Sequence, residues 1–498
     1  MRLPRYGRDK GFAVIMTTLS LFATMLIAGL GFDIATIYLI RTKLQGAADA
    51  AASAAVRALA ENGNVTAAQT VGTEFLTANF PTNYFGAQAL ASMPVSSALT
   101  VSTVDQNGNA GTAGTTATAK IVNVSVGVSA PLYFLRVLGQ NLANVYASAQ
   151  AKREGLLIMM VLDGSGSMQN LIGGTPACTY ARNDAEAFLG NSQFDPDIDR
   201  IGVVTFSGEA YTVAPVANFQ SPAGTVNTSS TVYTAINGFQ CNGNTNTTDA
   251  LQAAYTAIQN FYGVGVSPNR ASIVILMTDG APNGFSADWL SYIKSGSNCG
   301  AAASNSKMTG FIARETPTEW GIFSSAAATS SNMQNTDTSS VPLIADNNNC
   351  KMNTDVTSYY KDFSQVPSTD HWGDQMTGGS TYKPTTSLLF SGDNPGQAVD
   401  EQQFLQLSSN AADGRATAMR TDSLLRITIY TIELDGNSNG NIYDYADPTL
   451  LQRMANATTS PIYNPAQPVG AYFDAQDATY LGAEFSAVAS DISARLSK

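Results

Sequence analysis

No charged residue stands between Lys10 and Asp33, and that gap constrains the N-terminal part of the chain more than any other feature. As a helix, the run from Gly11 to Phe32 would extend roughly 33 Å, enough to cross a bilayer's hydrocarbon core. Hydrocarbon offers no partner to backbone N–H and C=O groups, so a helix is the form open to it. Arg2, Arg5, Arg8 and Lys10 precede the run. Such a basic cluster stays in the cytoplasm, which sends everything after Asp33 outward. The run is longer than the ~7–15 residues of a cleaved signal's apolar core. The expectation is a cytoplasmic tail over 1–10 and an uncleaved transmembrane helix over 11–40. A cleavage site within the alanine-rich stretch Ala47 to Ala55 is the alternative. From Asp33 to Ala60 there is no Pro and only Gly46, and alanine, the best helix former, is dense. A helical extension over 41–64 is therefore expected.

The bulk numbers narrow the function. The 498-residue chain is long enough for two or three domains, and 44% apolar residues exclude a disordered chain. Its net charge of −12 argues against nucleic acid, whose phosphates need a basic surface, and suits a cation. His371 is the single histidine, so a multi-histidine zinc site is impossible and a Ser–His–Asp triad could use only that residue. Cys178, Cys241, Cys299 and Cys350 contain no CxxC pair, which removes a zinc ribbon. An even count in an exported chain suggests two disulfides. Four cysteines allow three pairings; we expect Cys178–Cys241 and Cys299–Cys350, with four buried thiols as the alternative.

Residues 65–153 read as a small α+β region, laid out somewhat like a pilin. Ala67 to Ala78 has helical character, Leu99 to Val104 that of a strand, and Asn107-Gly108 signals a turn. Gly108 to Ala119 reads as a loop. Val122, Val124, Val126 and Val128 alternate with polar or small residues, the pattern of a half-buried strand. A short helix is expected within Leu132 to Leu138.

From residue 154 to 498 the pattern is α/β. Apolar runs at Leu156–Leu162, Ile201–Phe206, Ile273–Met277 and Arg426–Leu434 alternate with helical stretches at Tyr180–Leu189, Asp249–Tyr262 and Glu401–Ala412. Such alternation implies a doubly wound, mostly parallel sheet, whose ligands bind beyond the carboxyl ends of the strands. Polar residues cluster at those ends: Asp163-Gly164-Ser165-Gly166-Ser167 after the first strand, Gly243-Asn244-Thr245-Asn246 before a helix, and Thr278-Asp279-Gly280 after a later strand. Carboxylates and hydroxyls are hard oxygen donors suited to Mg²⁺, Mn²⁺ or Ca²⁺. A spacing of two points Asp163, Ser165 and Ser167 to one side, with glycines permitting the tight turn. These few charges do not saturate the ion, so water or a partner's carboxylate must complete its shell. A phosphate-binding loop does not fit, because no Gly-Lys-Ser/Thr follows.

This constellation resembles the metal-ion-dependent adhesion site of von Willebrand factor A (vWA) domains. Asp163, Ser165 and Ser167 match its Asp-x-Ser-x-Ser, Thr245 its threonine, and Asp279 its Thr-Asp-Gly. Asn244 stands where the family usually has a second glycine. The resemblance implies that Ser165, Ser167 and Thr245 bind the ion directly, the aspartates directly or through water. It also implies that a partner protein's Asp or Glu takes the open position. A domain that keeps the loop without the metal is the alternative. The N-terminus resembles the TadE/TadG-like proteins of Tad (Flp) pilus assembly through the basic residues, Gly31-Phe32-Asp33, Leu44-Gln45 and Ala48-Asp49-Ala50-Ala51. That resemblance implies a bacterial inner-membrane protein, N-terminus in the cytoplasm and bulk in the periplasm or outside, working with Flp-type pili. Gly11-Phe12 faintly resembles a prepilin cleavage site, but Met16 stands where a glutamate belongs.

Other features carry smaller expectations. Residues 284–397 read as an ordered insertion stapled by Cys299–Cys350, in which Trp289, Trp320 and Trp372 form either a recognition surface or a small core. Asp435, Asn437 and Asn439 resemble the first half of a calcium loop, with Ala446 where its closing Glu belongs; a polar turn is the alternative. His371 is expected on an exposed loop, and residues 480–498 as a closing helix. The reading is metal-dependent protein binding rather than catalysis, with a structural, minor-pilin-like role as the alternative.

Overall fold

The computed structural model describes residues 10–62, 64–94, 98–113, 115–208, 210–221, 223–263, 265, 268–288, 309–314, 320–324, 367–377, 401–434 and 446–496. The chain divides into two compact units, one of Met1–Thr112, Ala119–Arg153 and Leu496–Lys498, the other of Ala113–Thr118 and Glu154–Arg495.

In the first unit, helix α1 (Lys10–Asn62) runs for 53 residues without a break, about 80 Å. Its first part is apolar yet exposed, with Leu19, Leu21, Phe22, Met25 and Ile27 all open. It is long and apolar enough to cross a membrane. Its last part is apolar and covered: Leu44, Ala47, Ala48, Ala51, Ala55 and Leu59 are buried. Alanines there let the helix approach closely both α2 (Val65–Asn79) and an antiparallel sheet. Asn64 starts α2, its side chain accepting the N–H groups of Thr66 and Ala67. The sheet's strands are β1 (Leu99–Val104) and β2 (Ala119–Pro131), in register from Leu99 opposite Val124 to Val104 opposite Ala119. A two-residue strand, Gln88–Ala89, continues along the same edge. Val122, Val124, Val126 and Val128 all turn into the core, as their period of two requires. The helix expected within 132–138 is a single 3₁₀ turn, Leu135–Leu138.

Strand β3 (Leu142–Asp163) begins in the first unit and ends in the second. Only its apolar last half is announced by the sequence, because Leu142 to Arg153 mixes small apolar residues with polar ones and contains no continuous apolar run. The second unit contains α3 (Ala177–Leu189), β4 (Arg200–Phe206), β5 (Ala210–Ala217), α4 (Thr231–Gly238), α5 (Thr247–Tyr262) and β6 (Arg270–Thr278). Then follow a three-stranded antiparallel sheet, β7 (Gly284–Asp288), β8 (Thr309–Arg314) and β9 (Trp320–Ser324), and the elements α6 (Glu401–Thr421), β10 (Thr428–Leu434), α7 (Pro448–Met454), β11 (Tyr472–Ala475) and α8 (Leu481–Leu496). The main sheet has the order β5-β4-β3-β6-β10-β11, all parallel except β5.

Strand alternation assigns its two faces. Leu157, Met159, Val161, Val274, Leu276 and Ile429 pack with α5, α6 and α7. The intervening Ile158, Met160 and Leu162 are equally buried and point the other way. Tyr430, next to Ile429, reaches Asp491 of α8 through its hydroxyl at 2.8 Å. Phe485 of α8 in turn meets Phe188 of α3, ring centroids 5.6 Å apart. Helices thus cover both faces, and β3 reads as an unbroken apolar run for that reason. The architecture is the doubly wound α/β fold expected.

Candidate functional site

The carboxyl ends of β3 and β6, neighbours in the sheet, bring two loops together. Asp163 ends β3, and its Oδ1 accepts the Ser165 backbone N–H at 2.8 Å, which folds the loop back on itself. Its Oδ2 accepts the Thr278 hydroxyl of β6 at 2.5 Å. Ser165 and Ser167 lie 2.9 Å apart through their hydroxyls. Both donate to Oδ1 of Asp279, at 3.2 Å and 2.8 Å. Four of the five expected ligands, Asp163, Ser165, Ser167 and Asp279, are therefore joined by side-chain and backbone hydrogen bonds. Thr245 is tied to the same rim through its backbone. Its neighbour Gly243 accepts the Gly166 N–H at 2.8 Å, and its own N–H donates to Asn283 Oδ1 at 2.6 Å.

Close backbone approach explains the glycine at 164. A Cβ there would meet the Gln240 carbonyl oxygen at 2.9 Å, while the Gly164 carbonyl accepts the Asn242 N–H at 2.7 Å. A disulfide, Cys178–Cys241, fastens the start of α3 to this 240–245 segment across 63 residues, with Cα atoms 6.1 Å apart. Cys299 and Cys350 lie outside the described residues, as do Asp435, Asn437 and Asn439.

The electrostatics are unbalanced. Asp163 and Asp279 are buried, and neither forms a salt bridge among the described residues. Burial pushes Asp163 up to about 6, against the pull of its bonds from Thr278 and Ser165. Burial and the charge of Asp163 push Asp279 well above the ordinary carboxylate range. Two carboxyl groups share a rim whose partners are neutral hydroxyls and amides, so ionising both is unfavourable. Among the described residues no three His, Cys, Asp or Glu side chains gather to hold a metal, so a cation here would rely on hydroxyl oxygens as well. The donor set of hydroxyls and carboxylates fits a hard divalent ion.

Thr278, Asn283 and Asp249 support the rim without having been assigned a role from the sequence. Thr278 lies inside the Thr-Asp-Gly motif, which was the available signal. Asn283 reaches across to another loop, and no spacing announces it. Asp249, in the first turn of α5, accepts Asn246 Nδ2 at 2.8 Å, the Ser286 hydroxyl at 2.5 Å and the Trp372 indole N–H at 2.8 Å. Trp372 is 38% exposed and anchored to α5, rather than buried in a core of the insertion's own. The side chains of Trp289 and Trp320 are not among those described. His371 is half-buried rather than exposed, because its backbone N–H is held by the Ser286 carbonyl at 2.8 Å and its ring lies edge-on to Trp372.

Residues 158–281 match the von Willebrand factor type A domain family model. The chain carries a vWA domain, with the motif loops at the ends of its sheet. Residues 11–58 match the putative Flp pilus-assembly TadE/G-like family, so the vWA domain is joined to a Tad-like N-terminal segment. No curated protein sequence matches the chain. Among solved structures it is similar to the PilB minor pilin from Streptococcus sanguinis, at 13% identity and a TM-score of 0.38, covering 82% of this chain and 79% of that one. It is also similar to the vWF domain of the type V pili tip protein Mfa5 from Porphyromonas gingivalis (14%, TM-score 0.35, 69% and 97% covered). A third is the pilus adhesin SpaC from Lactobacillus rhamnosus GG (15%, TM-score 0.37, 84% and 37% covered).

Proposed function

We propose that this chain is a pilus-associated protein of the bacterial envelope, anchored in the inner membrane by α1 with its N-terminus in the cytoplasm. Its vWA domain binds a partner protein through a divalent cation, in Flp pilus assembly or adhesion. The observation that carries the reading is the convergence of Ser165, Ser167 and Asp279, from loops more than a hundred positions apart, beside the buried Asp163. Asp163, Ser165, Ser167, Thr245 and Asp279 would hold Mg²⁺, Mn²⁺ or Ca²⁺. When bound, the ion supplies positive charge to two buried carboxylates and an attachment point for a partner's Asp or Glu. The chain's own residues keep the oxygens in place: Thr278 orients Asp163, Asn283 secures Thr245, and the disulfide holds the middle loop. The matched TadE/G-like segment supports the pilus context, and the apolar first part of α1 supports the anchor.

Calorimetric titration of the full chain in detergent with Mg²⁺, Mn²⁺ and Ca²⁺ tests the site, with capture of partners from envelope extracts in the presence and absence of EDTA. One saturable site, lost in Asp279→Ala and Ser167→Ala, is expected, together with capture that EDTA abolishes. Cation binding unchanged in both variants, or capture indifferent to EDTA, overturns the reading. A structural, minor-pilin-like role is the second reading. It is favoured by a long helix whose apolar first part is exposed while its alanine-rich end packs on an antiparallel sheet. Cleavage near Gly11, seen by N-terminal sequencing, would support it.

A further inference from the structure

Beside the apolar run of α1, the segment from Tyr133 to Leu142 presents a second apolar surface. Val137 is 73% exposed, Leu138 66% and Leu142 61%. Exposed leucines scattered singly need no explanation, but these three stand on one short loop with the open rings of Tyr133 and Phe134. The loop is docked, not loose. Asp33 Oδ1 accepts the Tyr133 N–H at 2.8 Å, and its Oδ2 accepts those of Phe134 and Leu135 at 3.0 Å and 2.7 Å. Phe32 stands edge-on to both aromatic rings, with centroids 5.9 Å and 5.8 Å away. At Gly29 a Cβ would sit 2.4 Å from the Phe134 ring, so the absence of a side chain there makes the slot in which the ring lies. Leu26, Ile27 and Leu30 of the helix line an apolar pocket with Phe134, Leu135 and Leu138.

The level of this contact identifies what covers it. Leu26 to Phe32 is the last stretch of the uncharged run, about 9 Å of helix. Apolar segments lying in a membrane interface sink about 5–10 Å into the headgroup and acyl boundary. A free carboxylate at that depth would be costly, and Asp33 has three amide donors gathered around it. Arg136, exposed on the same turn, can extend its guanidinium toward lipid phosphates while its stem stays in the apolar layer.

We propose that residues Tyr133 to Leu142 form a second membrane contact, a loop inserted among the acyl chains of the outward-facing leaflet and locked to the helix through Asp33. It would fix how deep α1 sits and resist its rotation. The proposal rests on the reading of α1 as a membrane anchor. The test is tryptophan quenching in full-length chain reconstituted into phosphatidylcholine vesicles whose acyl chains carry bromine near the headgroup or near the bilayer centre. The parent chain supplies the background of its three native tryptophans. Val137→Trp, and Leu142→Trp as a second reporter at another exposed position, should be quenched at least two-fold more by shallow bromine than by deep. Ile27→Trp reports the anchor. If Ile27→Trp is quenched and neither loop reporter is, the loop lies in water and the proposal fails while the anchor stands. If the loop reporters emit in the blue but no bromine quenches them, protein covers the loop, from a second copy or another chain, and the proposal fails equally. If Ile27→Trp is not quenched either, the anchor reading fails and takes the loop with it.

Discussion

Two sets of buried carboxylates in this molecule are solved in opposite ways. Asp33 receives three backbone N–H groups from one turn, at 2.7 to 3.0 Å. Oriented amides of this kind form a concave anion site at the start of the 3₁₀ turn, and the charge is met locally. Asp163 and Asp279 share two serines, a threonine and a few amides, and their second charge has no counterpart among the described residues. The first arrangement is complete as it stands and serves to hold a loop. The second is short of positive charge among the described residues, a deficit that the proposed cation would fill.

Removing the disulfide separates the two most strongly. Closing a loop of 63 residues is worth about 4 kcal/mol in the chain-entropy account. Cys178→Ser with Cys241→Ser should lower the denaturant midpoint of the vWA domain accordingly and weaken cation binding. Amide-exchange protection at Tyr133, Phe134 and Leu135 should stay unchanged; equal loss at both places would contradict the contrast drawn here.

Next in size is the response to pH without divalent ions. Asp163 titrates near 6 in the folded chain, against an ordinary value of 3.8, so the folded state holds more protons between those values. The stability this group contributes is then greatest below about pH 4 and is lost as pH rises through 6. Asp279, raised further, adds in the same direction at higher pH. Saturating Mg²⁺ should flatten or reverse the slope in thermal melts. A metal-free slope between pH 4 and 6 that Asp163→Asn leaves unchanged would show that this carboxyl is already neutralised.

Asp33→Asn keeps one acceptor and loses the charge. Exchange at the three loop amides should quicken on the order of ten-fold, with cation binding unaltered. The smallest effect is expected of Gly164→Ala: its Cβ would press on the Gln240 carbonyl, shifting the loop and weakening cation affinity a few-fold while the fold persists. Unchanged affinity would mean that the loop yields freely.

Much of this was legible in the residues. The valine alternation at 122–128 predicted its strand, and Leu99 to Val104 formed as read, because period two is a local property of a half-buried strand. The apolar runs predicted four strands of the main sheet, with carboxyl ends within one residue of those found, whereas β3 starts fourteen residues before its apolar run. Other elements carried weaker signals. The first half of β3 lacks a continuous apolar run; α4, α7 and β11 are short; and α6 continues nine residues past the expected Ala412 to Thr421, its mean composition too polar to announce a buried face. At the rim the motif residues were legible as donor types, whereas the positioning roles of Thr278 and Asn283 were not.

The amino-acid order alone determined which segments could be helix or strand, which stretch could cross hydrocarbon, and which oxygens were available, since each depends on neighbours a few positions away. Only the tertiary structure decided that Asp33 would take its amides from residues one hundred positions on, that Phe134 would lie against Gly29, and that Asn283 would secure Thr245. A carboxylate bonds equally well to any suitable donor, so nothing local encodes which one it meets. That choice belongs to the packing of the whole chain.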